Sequence, residues 1–217
     1  MIDIHSHILP GIDDGARTLE ESVDMLREAA AAGVSILYAT PHARRHVDWR
    51  AVHAAYQAVA REALRLGIQL RLGTEILYDL LIRLSGDELP YYCYQNSKTL
   101  LLEFHSQIIP HRWEHTLSAL KQAGYQVIVA HPERYRFIQR KPGIAMEFGR
   151  YGALLQLDVE SLAAKPWDGS RRAARRLLGE GVASFIASDA HRPEGYRLYA
   201  AMHRKLEKVW PPERDIP

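Results

Sequence analysis

Short apolar runs alternate with longer amphipathic stretches along the chain. The apolar runs predict seven strands, over residues 1–5, 34–40, 68–73, 99–104, 125–130, 153–158 and 182–187. The amphipathic stretches predict helices over residues 18–32, 48–66, 76–84, 113–122, 142–150, 170–178 and 194–209. Strands that alternate with helices indicate repeated βαβ units and a mostly parallel sheet. Both a closed barrel and an open doubly wound sheet fit, and seven units favour a barrel.

Length and composition change this picture little. The chain has 217 residues, of which 47% are hydrophobic and 25% charged, so one soluble globular domain over residues 1–217 is expected. The net charge of +2 gives no argument for nucleic-acid binding. One cysteine, Cys93, allows no disulfide within the chain. The start of the sequence lacks signal-peptide features and no apolar run is long enough to span a membrane, which predicts a cytoplasmic protein.

Metal-ligand residue types follow the predicted strands. In parallel α/β folds the carboxyl ends of the strands gather on one face, where the chemistry takes place. Nine candidate ligands lie at or just past these ends: His5, His7, Asp14, His42, Glu75, Glu103, His131, Asp189 and His191. Nitrogen and carboxylate ligands without thiolates suit Mn²⁺, Zn²⁺ or Fe, and nine are enough for two or three ions. Such a cluster suits the hydrolysis of phosphate esters.

Other reactive residues fit this chemistry less well. Arg134, three residues past His131, can bind a phosphate through two parallel hydrogen bonds. His105 and Asp158 are the weakest strand-end candidates and are left out of the predicted ligand set. Cys93 lacks the arginine that a cysteine phosphatase needs six residues later, where Thr99 stands. We therefore interpret Cys93 as a loop or packing residue.

Several motifs, in this order, resemble the polymerase and histidinol phosphatase (PHP) superfamily. They are the residues around His5 and His7, Asp13-Asp14-Gly15, Thr40-Pro41-His42, Glu75, Glu103, His131-Pro132-Glu133-Arg134 and Ser188-Asp189-Ala190-His191. The bacterial protein-tyrosine-phosphatase branch, found with capsule and exopolysaccharide operons, is the most similar. The resemblance implies a distorted (β/α)7 TIM-like barrel and a trinuclear site, usually with Mn²⁺.

The resemblance also implies a role for each ligand. His5, His7, Glu75 and Asp189 would hold one ion, and Glu75 would bridge to a second held with Glu103 and His131. Asp14, His42 and His191 would hold the third. Arg134 would bind the phosphate. The family's second arginine falls at Tyr196, between Arg192 and Arg197, and we predict Arg197 for this role; Arg134, Arg197 and His42 are the predicted catalytic residues.

The function implied is hydrolysis of protein phosphotyrosine by attack of a metal-bridging hydroxide. The implied partner is an autophosphorylating bacterial tyrosine kinase that controls capsule or exopolysaccharide synthesis. A small-molecule phosphatase, such as histidinol phosphatase, and a PHP-type nuclease are the alternatives within the superfamily. A metal-free binding scaffold is the alternative from another class, and the complete ligand set argues against it.

Overall fold

The computed structural model describes residues 1–44, 46–206, 210 and 215–217. These residues form nine strand segments: β1 (Ile2–Asp3), β2 (Ile36–Ala39), β3 (His42–Ala43), β4 (Gln69–Leu72), β5 (Glu75–Leu77), β6 (Thr99–Glu103), β7 (Gln126–Ala130), β8 (Leu154–Asp158) and β9 (Phe185–Ala187). Every pairing between them is parallel. The predicted parallel sheet is therefore confirmed.

The nine segments make seven barrel strands because two of the strands are interrupted. Strand β2 continues into β3 past Thr40 and Pro41, and β4 continues into β5 past Gly73 and Thr74. Hydrogen bonds cross both interruptions, from Gly73 N to Ala39 O (2.8 Å) and from Glu75 N to Pro41 O (3.1 Å). A parallel bridge between Ser6 and Ala190 closes the ring between the first strand and the last. The expected distorted (β/α)7 barrel is thus confirmed.

Helices surround the barrel. They are α1 (Leu19–Ala31), α2 (Trp49–Arg65), α3 (Tyr78–Leu81), α4 (Trp113–Gln122), α5 (Arg136–Arg140), α6 (Gly143–Arg150), α7 (Val159–Ala163), α8 (Gly169–Gly179) and α9 (Glu194–Leu206). Seven of them correspond to predicted helices, whereas the short α5 and α7 were not predicted. The prediction for the last helix extends to residue 209, and residues 207–209 lie outside the described part of the chain. No described helix combines the length and apolar character needed to cross a membrane.

Side-chain chemistry at the helix starts explains where two long helices begin. The hydroxyl of Thr18 accepts a hydrogen bond from Glu21 N, and the Asp48 carboxylate accepts from Arg50 N and Ala51 N. These bonds satisfy backbone groups that have no partner within the helix. The glycines that follow, Gly33 and Gly67, have φ values of 87° and 73°, which suit glycine and end both helices.

Two apolar layers support the strands. The larger fills the space between the barrel and its helices, and the smaller lies inside the barrel. The inner layer includes Ile4, Tyr38, Leu101, Ile128 and Phe185, all at most 7% exposed. This layer fills the barrel, so that polar side chains gather at the carboxyl ends of the strands.

Candidate metal centre

The nine predicted ligands converge at the carboxyl ends of the barrel strands. Among the described residues, His, Asp and Glu side chains form four groups whose ligand atoms lie within 4.8 Å of one another. The groups are His7–Asp14–His42–His191, His5–His7–Glu75, His5–His131–Asp189 and His42–Glu75–Glu103. Every predicted ligand belongs to at least one group, so residues spread from the first strand to the last meet in one place.

The centre of the cluster lies between the first strand, β5 and the end of β9. The Nε2 atoms of His5 and His7 are 3.1 Å apart. Glu75 Oε2 lies 3.4 Å from His5 Nε2 and 3.5 Å from His7 Nε2, and Asp189 Oδ1 lies 3.3 and 3.1 Å from the same atoms. Ligand atoms that surround one ion at about 2.0–2.2 Å lie roughly 3.0–3.5 Å apart. These four atoms therefore have the spacing of one coordination shell.

A second group lies on the open side of the centre. The Nε2 atoms of His42 and His191 each lie 3.4 Å from Asp14 Oδ1. The ring of His191 stacks on His7 with the centroids 4.0 Å apart, which joins this group to the centre. The Asp14 side chain is 60% exposed, so solvent reaches this end of the cluster.

The remaining ligands meet around Glu75. His131 Nε2 hydrogen-bonds to Glu75 Oε1 at 2.8 Å, and His42 Nδ1 lies 2.7 Å from Glu75 Oε2. The two oxygens of Glu75 thus face different imidazoles, as a bridging carboxylate would. The grouping differs in part from the predicted one, because His42 joins Glu75 and Glu103 and because His131 also groups with His5 and Asp189. The assignment of ligands to individual ions stays a prediction.

Several buried polar atoms show that these residues fit metal ions. His42 Nδ1, Glu75 Oε2, Glu103 Oε2, His131 Nδ1 and Asp189 Oδ1 are buried without a hydrogen-bond partner within the described structure. Leaving a buried polar atom unpaired costs about 1–3 kcal/mol, and more for a charged group. All five atoms belong to predicted ligands. A cation is the partner that imidazole nitrogens and carboxylate oxygens have in common.

The electrostatics of the cluster favour charged pairs. Burial alone would lower the pKa of His131, but the hydrogen bond and charge of Glu75 outweigh it and raise the pKa to about 9. Burial likewise opposes ionisation of Asp189, yet the charges of His5 and His7 hold its pKa well below the usual range. The His131 imidazole is therefore protonated and the Asp189 carboxylate ionised when no ion is bound. Metal binding to such ligands releases protons.

A second layer of side chains orients the ligands. Asp13 Oδ2 lies 2.7 Å from His7 Nδ1 and accepts a hydrogen bond from His42 N at 2.9 Å. Gln156 Oε1 lies 2.9 Å from His5 Nδ1. Such partners fix the tautomer and the ring orientation of metal-binding histidines. The sequence signal for Gln156 was a polar residue inside the apolar run 153–158, and its role was not predicted.

The backbone is unusual at two ligands. His131 and Asp189 have φ values of 31° and 48°, in the left-handed region that residues other than glycine seldom adopt. Both follow the ends of barrel strands, where the chain must turn a side chain into the site. Gly15 shows a related constraint, because a Cβ atom there would lie 1.9 Å from His7 O. Only glycine therefore allows the Asp13–Asp14 loop to pack against the first strand.

Arg134 lies beside the cluster, as its predicted role requires. It donates to Asp189 Oδ2 (2.6 Å), Asp158 Oδ2 (2.5 Å) and Glu160 Oε2 (3.2 Å). Its side chain is 34% exposed, so part of the guanidinium faces solvent. Asp158, left out of the predicted ligand set, lies outside the four groups and instead holds Arg134 in position.

The side chains near the expected second arginine point elsewhere. Arg197 forms an ion pair with Glu28 of α1 at 2.5 Å and is 66% exposed. Arg192 donates to the backbone carbonyl of Gly15 at 2.6 Å, and Tyr196 is fully buried. Within the described structure, Arg192 donates to the backbone carbonyls of Asp14, Gly15 and His191, whereas the ion pair of Arg197 is with Glu28. The phosphate-binding role of Arg197 stays a prediction.

The structure agrees with the interpretation of Cys93 as a packing residue and with the omission of His105 from the predicted ligand set. Burial raises the pKa of the Cys93 thiol to about 11, the opposite of what a nucleophilic cysteine needs. His105 lies outside the four groups and pairs with Asp79 at 3.2 Å. Neither residue offers an alternative to metal chemistry.

Comparison with known proteins points to one family. The family model described as "Capsular polysaccharide synthesis, CpsB/CapC" matches residues 1–205. CapC of Staphylococcus aureus is 33% identical over 198 residues, covering 88% of this chain and 77% of its own. Tyrosine-protein phosphatase YwqE of Bacillus subtilis is 32% identical over 202 residues, with the same coverage of 88% and 77%.

Solved structures agree with these sequence matches. A structure from work on YwqE of Bacillus subtilis and CpsB of Streptococcus pneumoniae, described as unique metal-dependent tyrosine phosphatases, superposes with a TM-score of 0.82 at 28% identity. The superposition covers 96% of this chain and 87% of the other. The lactonase Lmo2620 of Listeria monocytogenes shares only the fold, with a TM-score of 0.53 at 14% identity, over 96% and 87% of the two chains.

Proposed function

Because the chain belongs to the CpsB/CapC family of capsular polysaccharide synthesis, we propose that it is a metal-dependent phosphatase that hydrolyses phosphotyrosine in proteins. The expected capsule-type branch of the PHP superfamily is confirmed by the same matches. YwqE and CpsB, which are similar along most of this chain, are named tyrosine-protein phosphatases. The single observation that carries the proposal is the convergence of nine ligand residues beside Arg134.

Different residues of the site would bind the metal ions, bind the phosphate and orient the ligands. His5, His7, Glu75 and Asp189 would hold an ion at the centre, and the remaining ligands would hold the others. When bound, such ions activate water and offset the charge of the attacking and leaving oxygens of a phosphate ester. Arg134 binds the phosphate, while Asp158 and Glu160 hold its guanidinium toward the site. Asp13 and Gln156 keep His7 and His5 in the orientation that ligation needs.

We propose Mn²⁺ as the native ion. Imidazole and carboxylate ligands suit Mn²⁺, Zn²⁺ and Fe, and the four carboxylates beside the five imidazoles are ligands that the harder Mn²⁺ accepts. The proposed protein substrate is an autophosphorylating tyrosine kinase of capsule or exopolysaccharide synthesis. We place the reaction in the cytoplasm, where such a kinase finds ATP and where a free cysteine such as Cys93 stays reduced.

The test compares substrates on one metal-loaded preparation. The protein is stripped with a chelator, reloaded with Mn²⁺, Zn²⁺ or Fe²⁺, and assayed on a phosphotyrosine peptide, a phosphoserine peptide, histidinol phosphate and a single-stranded oligonucleotide. We expect turnover of the phosphotyrosine peptide, highest with Mn²⁺ and abolished by the chelator. Preferred turnover of histidinol phosphate or of the oligonucleotide would replace this proposal with one of the two superfamily alternatives.

A further inference from the structure

A cavity of about 290 Å³ opens directly beside the predicted metal ligands. Its walls include the ligands Glu103 and His131, the apolar side chains of Leu77 and Phe104, and the two arginines Arg44 and Arg134. A phosphorylated tyrosine presents an aromatic ring that leads to a doubly charged phosphate. The cavity offers apolar side chains for the ring, and its lining includes two arginines for the phosphate.

The two arginines are held in different ways. Arg134 is fixed by Asp158, Glu160 and Asp189, whose carboxylates also offset its charge. Arg44 is 50% exposed, and its nearest carboxylate within the described structure, Glu103, lies 3.8 Å from its Nε. That distance is too long for a hydrogen bond. Arg44 therefore keeps both its positive charge and most of its donors available to a ligand.

Among the described residues, the hydrogen bond of Arg44 is with a predicted metal ligand. Arg44 Nη2 lies 2.7 Å from His42 Nε2, the atom that also faces Asp14 in the outer group. An imidazole nitrogen that binds an ion has no lone pair left to accept a hydrogen bond. If His42 Nε2 held an ion, Arg44 would need another acceptor for this hydrogen bond. Arg44 lines both the 290 Å³ cavity and a neighbouring cavity of about 490 Å³ beside Asp14, so a phosphate bound in either cavity could supply that acceptor.

We infer that Arg44 is the second phosphate-binding arginine of this enzyme and that it faces Arg134 across the cavity that receives the phosphotyrosine side chain. This inference rests on the proposed function. A guanidinium can contact two phosphate oxygens at once, and two arginines from opposite sides can hold a dianion without protonating it. Arg44 thus takes the role that the sequence resemblance assigned to the region of Arg192 and Arg197.

The test compares arginine variants of the metal-loaded protein. Arg44→Ala, Arg44→Lys and the rival Arg197→Ala are measured with Arg61→Ala, an exposed arginine of α2, as the matched control. Two readouts are taken, kcat/KM on a phosphotyrosine peptide and the dissociation constant of inorganic phosphate measured by calorimetry without turnover. Metal content is determined for each preparation.

We expect Arg44→Ala to lower kcat/KM and to weaken phosphate binding, each by about ten- to a hundredfold, the loss of a pair of charge-assisted hydrogen bonds. Arg44→Lys should recover only part of both because a single ammonium cannot make the bidentate contact. The control Arg61→Ala should match the unaltered protein, and Arg197→Ala should weaken phosphate binding less than Arg44→Ala does. Metal content should be equal in all five proteins.

Three results would overturn the inference. The first is unchanged phosphate binding in Arg44→Ala, and the second is weakened phosphate binding in Arg197→Ala instead. The third is loss of bound metal from Arg44→Ala, which would show that Arg44 acts on His42 and not on the phosphate. Failure of the proposed function gives a different result, because the unaltered protein would then leave phosphotyrosine peptides intact while the phosphate-binding comparison still decides the role of Arg44.

Discussion

Polar side chains at the two ends of the barrel differ in whether they have hydrogen-bond partners. At the amino end of the strands, Arg71 Nη1 donates to Tyr38 OH and to Asp215 Oδ2, both at 2.7 Å, and Tyr38 OH donates to Asp215 Oδ1 at 2.8 Å. Thr99 donates to the Pro217 carbonyl at 2.7 Å. At the carboxyl end, five buried atoms of the predicted ligands have no hydrogen-bond partner within the described structure.

Cavity size alone would have indicated the wrong end. A cavity of about 540 Å³ lies at the amino end, lined by Tyr38, Arg71 and Thr99, and it is larger than either cavity beside the ligands. No residue of that lining belongs to the four ligand groups found in the described part of the chain. Most buried polar groups in folded proteins have hydrogen-bond partners, so the five unpaired ligand atoms at the carboxyl end need an explanation, and bound ions supply one. The following predictions test this division, from the largest expected effect to the smallest.

The largest effect is expected from His42, which belongs to two of the ligand groups. His42→Ala should lower kcat/KM by on the order of a thousandfold, because metal ions contribute several kcal/mol of transition-state stabilisation. The metal-free protein should unfold within about 1 kcal/mol of the unaltered chain, since this end is not built for stability. Assays with Mn²⁺ and chemical denaturation with chelator present measure the two quantities.

The control for His42 is His53→Ala, which removes an exposed imidazole from α2 and should change neither quantity. Full activity of His42→Ala would remove this residue from the metal centre. Unfolding of the metal-free His42→Ala protein would contradict the expectation that the carboxyl end of the barrel contributes to activity and not to stability.

A smaller loss is expected one layer further out, at Asp13. Asp13→Asn keeps the shape of the side chain but removes the charge that faces His7 Nδ1. Changes of this kind weaken metal binding by about 10- to 100-fold. Titration of the stripped protein with Mn²⁺ measures the affinity, and an excess of Mn²⁺ should restore most of the turnover. Asp24→Asn on the exposed face of α1 is the control, and equal Mn²⁺ affinity of the two variants would show that Asp13 does not orient His7.

The sequence predicted the elements and the ligand positions for a physical reason. Short apolar runs indicate strands buried on both faces, amphipathic stretches follow the 3.6-residue period of helices, and the carboxyl ends of parallel strands must meet on one face. The continuations β3 and β5 were not predicted, because Pro41 and Gly73 indicate strand ends. In the structure the ladder resumes directly beyond them and carries His42 and Glu75 into the site.

Partners distant in sequence could not be predicted. Gln156 meets His5 across 151 positions, and Asp158 meets Arg134, only because the barrel closes. The direction of a long side chain is equally hidden, since spacing from His191 could not reveal that Arg197 binds Glu28. Sequence patterns fix which backbone positions share a face, whereas contacts between the ends of side chains depend on the completed tertiary structure.

For substitutions at the amino end of the barrel we expect a loss of stability and no loss of activity. Tyr38→Phe removes the hydroxyl that links Arg71 to Asp215 and should lower the free energy of unfolding by about 1 kcal/mol. The activity of the folded protein should not change, because the partners of Tyr38 OH are Arg71 and Asp215, which belong to none of the four ligand groups. Denaturant unfolding and kcat/KM give the two values, with Tyr151→Phe on the surface as the control. A tenfold loss of activity in Tyr38→Phe would show that the two ends are coupled.

The smallest effect is expected from Asp215→Asn, which weakens the ion pair with Arg71. The Asp215 side chain is 41% exposed, and ion pairs near solvent contribute about 0.2–1 kcal/mol, so we expect a loss of about 0.5 kcal/mol. Salt screens such pairs, and the difference between the two proteins should therefore shrink in 1 M NaCl. Denaturant unfolding at low and high salt measures it, with Asp87→Asn as the control. A difference that persists in 1 M NaCl would mean that Asp215 acts through its short hydrogen bond from Tyr38, because salt screens a direct hydrogen bond less than the attraction between two solvent-exposed charges.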